Sequence, residues 1–122
     1  MSKKVLIAED SSVIQNLARK ILQSQNFEIT AVKNGQQVLD KMEKDGFDVI
    51  VMDINMPVMD GMQCAEKIRQ RSDNKANTPI IVISGNAKNY TQEDFERIGV
   101  NAYLQKPLNF DELVEKVYEF TR

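Results

Sequence analysis

VIVMDINMPVMDG, residues 49 to 61, decides how this chain folds. Four apolar residues run without a break into Asp53, and Asn55, Met56-Pro57 and Asp60-Gly61 follow at once. A continuous apolar run bounded by turn residues suits a strand covered on both faces, as in a parallel sheet. It ends by delivering a carboxylate to its own tip, where the chain turns away.

The same grammar repeats on either side. Five apolar or alternating stretches read as strands, Val5–Ala8, Phe27–Val32, Phe47–Met52, Ile80–Ile83 and Ala102–Gln105. Segments of helical period separate them. Ser12 and Gln15 form a capping-box pattern ahead of a stripe of Val13, Ile14, Leu17, Ala18, Ile21 and Leu22. A second helix spans about 36–44 and ends at Asp45-Gly46, where glycine suits a left-handed cap. A third spans about 62–71, a fourth about 91–98 before Gly99, and a fifth opens at Asn109. Strict alternation implies a parallel sheet with helices on both faces, an α/β (βα)5 doubly wound fold filling residues 1–122 as a single domain. Strands two and five alternate with polar residues and so belong at the edges, which fits the flavodoxin-like order 2-1-3-4-5.

Composition removes several functions. The chain has no histidine, so a Ser-His triad, a histidine metal site and a phosphohistidine on this chain are excluded. A formal charge of -2 offers no net basic field for nucleic-acid phosphates. No apolar run is long enough to span a membrane. The single Cys64 suits a reducing compartment, and the chain reads as cytoplasmic.

In sheets of this order ligands bind beyond the carboxyl ends of the strands. Glu9-Asp10, Asp53, Ser84 and Lys106-Pro107 all fall there. Two carboxylates ~4 Å apart repel by about 4 kcal/mol at an effective dielectric near 20. One lysine does not balance three acids, and an all-oxygen donor set favours a hard cation such as Mg²⁺.

Together, Glu9-Asp10, Asp53 with Met56-Pro57 and Asp60-Gly61, Ser84, and Lys106-Pro107 resemble a response-regulator receiver domain of two-component signalling, over essentially the whole chain. The resemblance implies a signalling domain that promotes its own phosphorylation and dephosphorylation, not an enzyme. In it, Asp53 is the phosphoacceptor for a partner histidine kinase or histidine phosphotransfer protein. It implies Mg²⁺, with Mn²⁺ able to substitute, on Asp10, Asp53 and the main-chain carbonyl of Asn55, with Glu9 acting mainly through water. Lys106 and Ser84 would stabilise the phosphoryl group, and a cis peptide is expected at Lys106-Pro107. Ser84 and Tyr103 would be the switch pair, turning a surface of the fourth helix, fifth strand and fifth helix toward a downstream protein target. Asn55 and Asn86 would tune the lifetime of the phosphoryl group, and Gly85-Asn86 departs from the usual Ala after the hydroxyl residue. In a phosphorelay the first helix, around Gln15 and Arg19, would face the partner's phosphohistidine helix. The residues leave no room for an output domain, and Met1-Ser2-Lys3-Lys4 reads as a natural start.

Three other readings fit less well. A phosphatase of the haloacid dehalogenase type needs a second Asp two residues after the nucleophile, where this chain has Asn55. A flavodoxin-like FMN binder needs a Gly- and hydroxyl-rich phosphate loop where this chain has two acids. A pseudo-receiver working without phosphorylation should have lost an acid, the hydroxyl or the lysine, and all are present.

Overall fold

The structure, a computed structural model, describes residues 2–85 and 90–122. Asn86 lies outside the described residues. Five parallel strands, β1 (Lys4–Ala8), β2 (Glu28–Val32), β3 (Val49–Asp53), β4 (Ile80–Ser84) and β5 (Ala102–Gln105), pair in the order β2-β1-β3-β4-β5. Five helices connect them, α1 (Ser12–Ser24), α2 (Gly35–Lys44), α3 (Gly61–Arg69), α4 (Gln92–Ile98) and α5 (Phe110–Thr121). The expected order and edges are met. Every residue of β3 and β4 is buried, whereas β2 and β5 are each only partly covered.

Strand alternation splits the core in two. Leu6, Ile50, Met52, Ile80 and Val82 face α2, α3 and α4 through Val38, Met42, Met62, Ile68, Phe95 and Ile98. Val5, Ile7, Val49, Val51, Ile81 and Ile83 face α1 and α5 through Ala18, Leu22, Leu113 and Val117. Met52, Met56 and Met62 are buried and Met59 packs against them, which is the filling role expected of flexible thioethers. Cys64 is buried too; burial, with the nearby Asp60 charge, pushes its thiol up to about 12.

Local chemistry corrects three details. Ser11, not Ser12, caps α1, because the Ser11 N–H is taken by the Glu9 carboxylate and its hydroxyl then accepts from Ile14 N at 3.4 Å. The apolar stripe of α1 is narrower than its sequence, since Val13 and Leu17 are 70% and 45% exposed. Helix α2 ends without a left-handed glycine: Asp45 is extended at φ -146°, and among described glycines only Gly99 has positive φ. Lys75 Nζ satisfies the Met42 carbonyl at 2.5 Å instead, a cation at a helix C-terminus.

Elsewhere the caps follow the sequence. Thr91 and Asp94 form a reciprocal box, and Gly99 at φ 96° closes α4. Helix α3 stops at Arg69, two residues early, because Arg71 leaves the helix to bridge Glu43 at 2.7 Å and Asp73 at 2.8 Å.

Candidate functional site

The site begins where β1 runs out. Glu9 N donates to Val32 O at 3.1 Å, extending the β1–β2 ladder one residue past Ala8 and drawing the Glu9 carboxylate inside, where it is 2% exposed. Ser11 N donates to Glu9 Oε2 at 3.1 Å. Asp10 is exposed. Gln15 turns its amide back toward the strand ends, donating to Glu9 O at 3.1 Å and Val32 O at 2.8 Å.

Strand β3 extends one residue beyond the expected Met52, so Asp53 itself is a strand residue, opposite Ile83. It is buried, and Oδ1 accepts from Asn55 N at 3.1 Å. The next turns fold tightly: Ile54 N donates to Ile83 O at 2.9 Å and Gly61 N to Ile54 O at 2.8 Å. A Cβ on Gly61 would sit 2.5 Å from Asp53 O and 2.9 Å from Ile54 Cα, so only glycine allows the loop to close against the backbone of the acid. Midway, Val58 adopts φ 70° and Met59 N donates to Pro57 O at 2.7 Å, a γ-turn centred on a β-branched residue.

The cation arrives from the other side of the sheet. Lys106 N donates to Ser84 O at 2.9 Å, and the Lys106–Pro107 peptide is cis, as the resemblance implied. Lys106 Nζ donates to Asp53 Oδ2 at 2.8 Å and lies 3.5 Å from Glu9 Oε1. Burial opposes the charged ammonium, but the hydrogen bond to Asp53 and the charges of Asp53 and Glu9 outweigh it and hold Lys106 above the usual lysine range. Burial pushes Glu9 the opposite way to most carboxylates, up to about 7; Asp53 beside it adds to the rise, while Ser11 N–H and Lys106 hold it down.

Glu9, Asp10 and Asp53 each offer an oxygen within 4.8 Å of the others. Glu9 Oε1 is buried and has no hydrogen-bond partner among the described residues. Three clustered carboxylates, of which Glu9 and Asp53 share a single lysine and Glu9 keeps a buried oxygen without a hydrogen bond, fit a hard divalent cation.

Of the other expected residues, Ser84 is buried as the last residue of β4, and Asn55 is exposed beside Asp53. Tyr103 lies opposite Val82, two residues back from the strand end. It stacks on Phe95 at 5.0 Å, which in turn packs on Tyr90 at 6.2 Å. The Tyr103 hydroxyl is buried and unpartnered among the described residues. Sequence reasoning missed the Gln15 amide, the γ-turn at Val58 and the close approach at Gly61. Only the last left a signal, the Asp60-Gly61 turn itself.

Comparison with known proteins agrees with this geometry. The sequence matches the response regulator receiver domain family over residues 5–118. It is 36% identical over 113 residues to hybrid signal transduction histidine kinase I of Dictyostelium discoideum, covering 88% of this chain but 6% of that kinase. Among solved structures it is similar to the chemotaxis response regulator CheY4 of Vibrio cholerae, with 30% identity, a TM-score of 0.88, and 98% and 99% of the two chains covered. It also resembles the receiver domain of the sensor histidine kinase PA1611 of Pseudomonas aeruginosa, in which a magnesium ion is coordinated in the active-site cleft. Here identity is 30%, the TM-score 0.88, and coverage 99% of this chain and 98% of that one.

Proposed function

The chain belongs to the response regulator receiver domain family of two-component signalling, and on that premise we propose that Asp53 accepts a phosphoryl group from the phosphohistidine of a partner kinase or phosphotransfer protein. One observation carries the proposal: the Asp53 carboxylate ends a fully buried strand, 2.8 Å from Lys106 and within a three-acid cluster that fits a divalent cation. A rigid strand fixes the nucleophile, so the site works by positioning and charge.

In the transfer, an Asp53 oxygen forms the new O–P bond as the N–P bond to the donor imidazole breaks, and the imidazole nitrogen keeps the electron pair. Lys106, which now pairs with Asp53, would move its charge onto the phosphoryl oxygens as they become equatorial. Asp10 and Asp53, with the Asn55 carbonyl and with Glu9 through water, would hold Mg²⁺. When bound, that ion neutralises the acids and polarises the phosphoryl oxygens. Ser84, at the tip of β4, would take a phosphoryl oxygen, and Tyr103 would report the change to a downstream protein across α4, β5 and α5. Among the described residues no helix is long and apolar enough to cross a membrane.

The test is intact mass after incubation with acetyl phosphate, with and without Mg²⁺, for the wild type and Asp53→Asn. One alkali-labile phosphoryl increment requiring both Mg²⁺ and Asp53 supports the proposal; an increment that survives in Asp53→Asn refutes it.

A further inference from the structure

Among the described residues, no hydrogen bond or ion pair holds the Asp10 carboxylate, and its side chain is exposed. Its direction therefore depends on the backbone before it. The peptide unit joining Glu9 to Asp10 carries the Glu9 carbonyl, and the orientation of that plane, together with φ of Asp10, sets where the Asp10 Cβ points. Two groups pin the Glu9 main chain: its N–H donates to Val32 O, and its carbonyl accepts from Gln15 Nε2 at 3.1 Å. The same amide nitrogen donates to Val32 O at 2.8 Å, so one side chain clamps the ends of β1 and β2 together.

Gln15 reaches this place because side chains on a helix lean toward its N-terminus. Its α-carbon sits one turn into α1, with Gln15 N bonded to Ser11 O at 2.9 Å. Both amide protons are spent on main-chain carbonyls of the strand ends.

We propose that Gln15 is a positioning residue for the cation site, acting through the Glu9–Asp10 peptide to aim the Asp10 carboxylate. This rests on the receiver reading, since it presupposes a cation held by Asp10. Groups that orient a ligand from one shell out matter about tenfold or more for metal affinity. Gln15→Met keeps the length and neutrality of the side chain and removes both donors. Gln15→Asn keeps the donors on a stem one methylene shorter.

The experiment is Mg²⁺ titration by calorimetry on the whole chain, with melting temperature recorded with and without Mg²⁺. Tyr118→Leu serves as a control; it removes the 2.9 Å bond to Gln25 and the Phe27 ring contact at 5.1 Å, between α5 and the segment entering β2. Expected is a loss of about tenfold in Mg²⁺ affinity for Gln15→Met and Gln15→Asn, and none for Tyr118→Leu at a similar loss of melting temperature. Wild-type Mg²⁺ affinity in Gln15→Met would overturn the proposal, as would an affinity loss in Tyr118→Leu that tracks its lost stability. A wild-type chain that binds no Mg²⁺ would overturn the receiver reading as well, a result distinct from failure of the Gln15 variants alone.

Discussion

Lys106 Nζ donates to Asp53 Oδ2 at 2.8 Å, joining the residue after β5 to the tip of β3 across the sheet. Asp53 is 2% exposed while the lysine keeps about a quarter of its side chain in solvent. The pair is thus a buried anion with a partly solvated cation, which suits a lysine that must change partner. Lys106→Met should lower stability without metal by about 1–3 kcal/mol, less than the loss for a fully buried pair because Lys106 is partly solvated. Mg²⁺ should restore more stability to this variant than it adds to the wild type, since it replaces the lost charge. Urea unfolding with and without Mg²⁺ measures both.

Glu9 gives a pH dependence of unusual sign. Its folded pKa of about 7 stands above the ordinary 4.5, chiefly through burial. A raised folded pKa means the fold prefers the protonated acid, so this contribution is complete below about 4.5 and is lost as pH rises through about 7. Without divalent metal, the melting temperature should fall between pH 5 and 8, and Glu9→Gln should flatten that fall. Mg²⁺ affinity should move the other way, rising through about pH 7 as the competing proton leaves.

Two glycines should behave oppositely. Gly61→Ala places a Cβ 2.5 Å from Asp53 O, a clash with backbone that should cost about 1–3 kcal/mol and weaken Mg²⁺ binding by shifting Asp53. Gly46 has nothing within 4 Å of such a carbon and no positive φ, so Gly46→Ala should gain about 0.4–1 kcal/mol. Chemical denaturation of the two variants side by side checks the contrast.

Val58, 81% exposed at φ 70°, stores strain in the loop that follows the phosphoacceptor candidate. Left-handed backbone costs an L-residue roughly 1–2 kcal/mol, and more readily so with a branched Cβ. Val58→Gly should therefore raise stability by about 1 kcal/mol, read from the urea midpoint, without altering Mg²⁺ affinity.

Arg69 organises the opposite side of the molecule. Its guanidinium donates to Gly99 O, Ala76 O, Thr78 O and Asn101 Oδ1 at 2.7–3.0 Å, and Asn101 Oδ1 also receives Ile80 N. Among the described residues no carboxylate takes part, so the arginine serves main-chain carbonyls and one amide oxygen. Arg69→Met should cost about 2–4 kcal/mol in urea unfolding while leaving Mg²⁺ affinity intact.

Much of this molecule was legible in its sequence. Strand–helix alternation and two polar-alternating strands pointed to a parallel sheet with strands two and five at its edges, as the structure has it, because burial on both faces leaves a mark on every residue of β3 and β4. The acids, the hydroxyl and the lysine were legible because strand ends carry them to one rim. What sequence could not resolve depended on partners distant along the chain. The second helix lacks its glycine cap because Lys75, 33 residues on, takes the Met42 carbonyl. Val13 and Leu17 fit an apolar period, yet the sheet covers only part of the α1 circumference. Gln15 looked like half of a capping box, but the Glu9 carboxylate moved the cap to Ser11 and left the amide free to clamp two strand ends. The sequence by itself determined the periodicity, the edge character of two strands and the chemical inventory of the rim, since these follow from local pattern and burial. Only the tertiary structure decided which donor meets which acceptor there, because a hydrogen bond is set by ångström-scale distance between groups that the sequence separates by tens of residues.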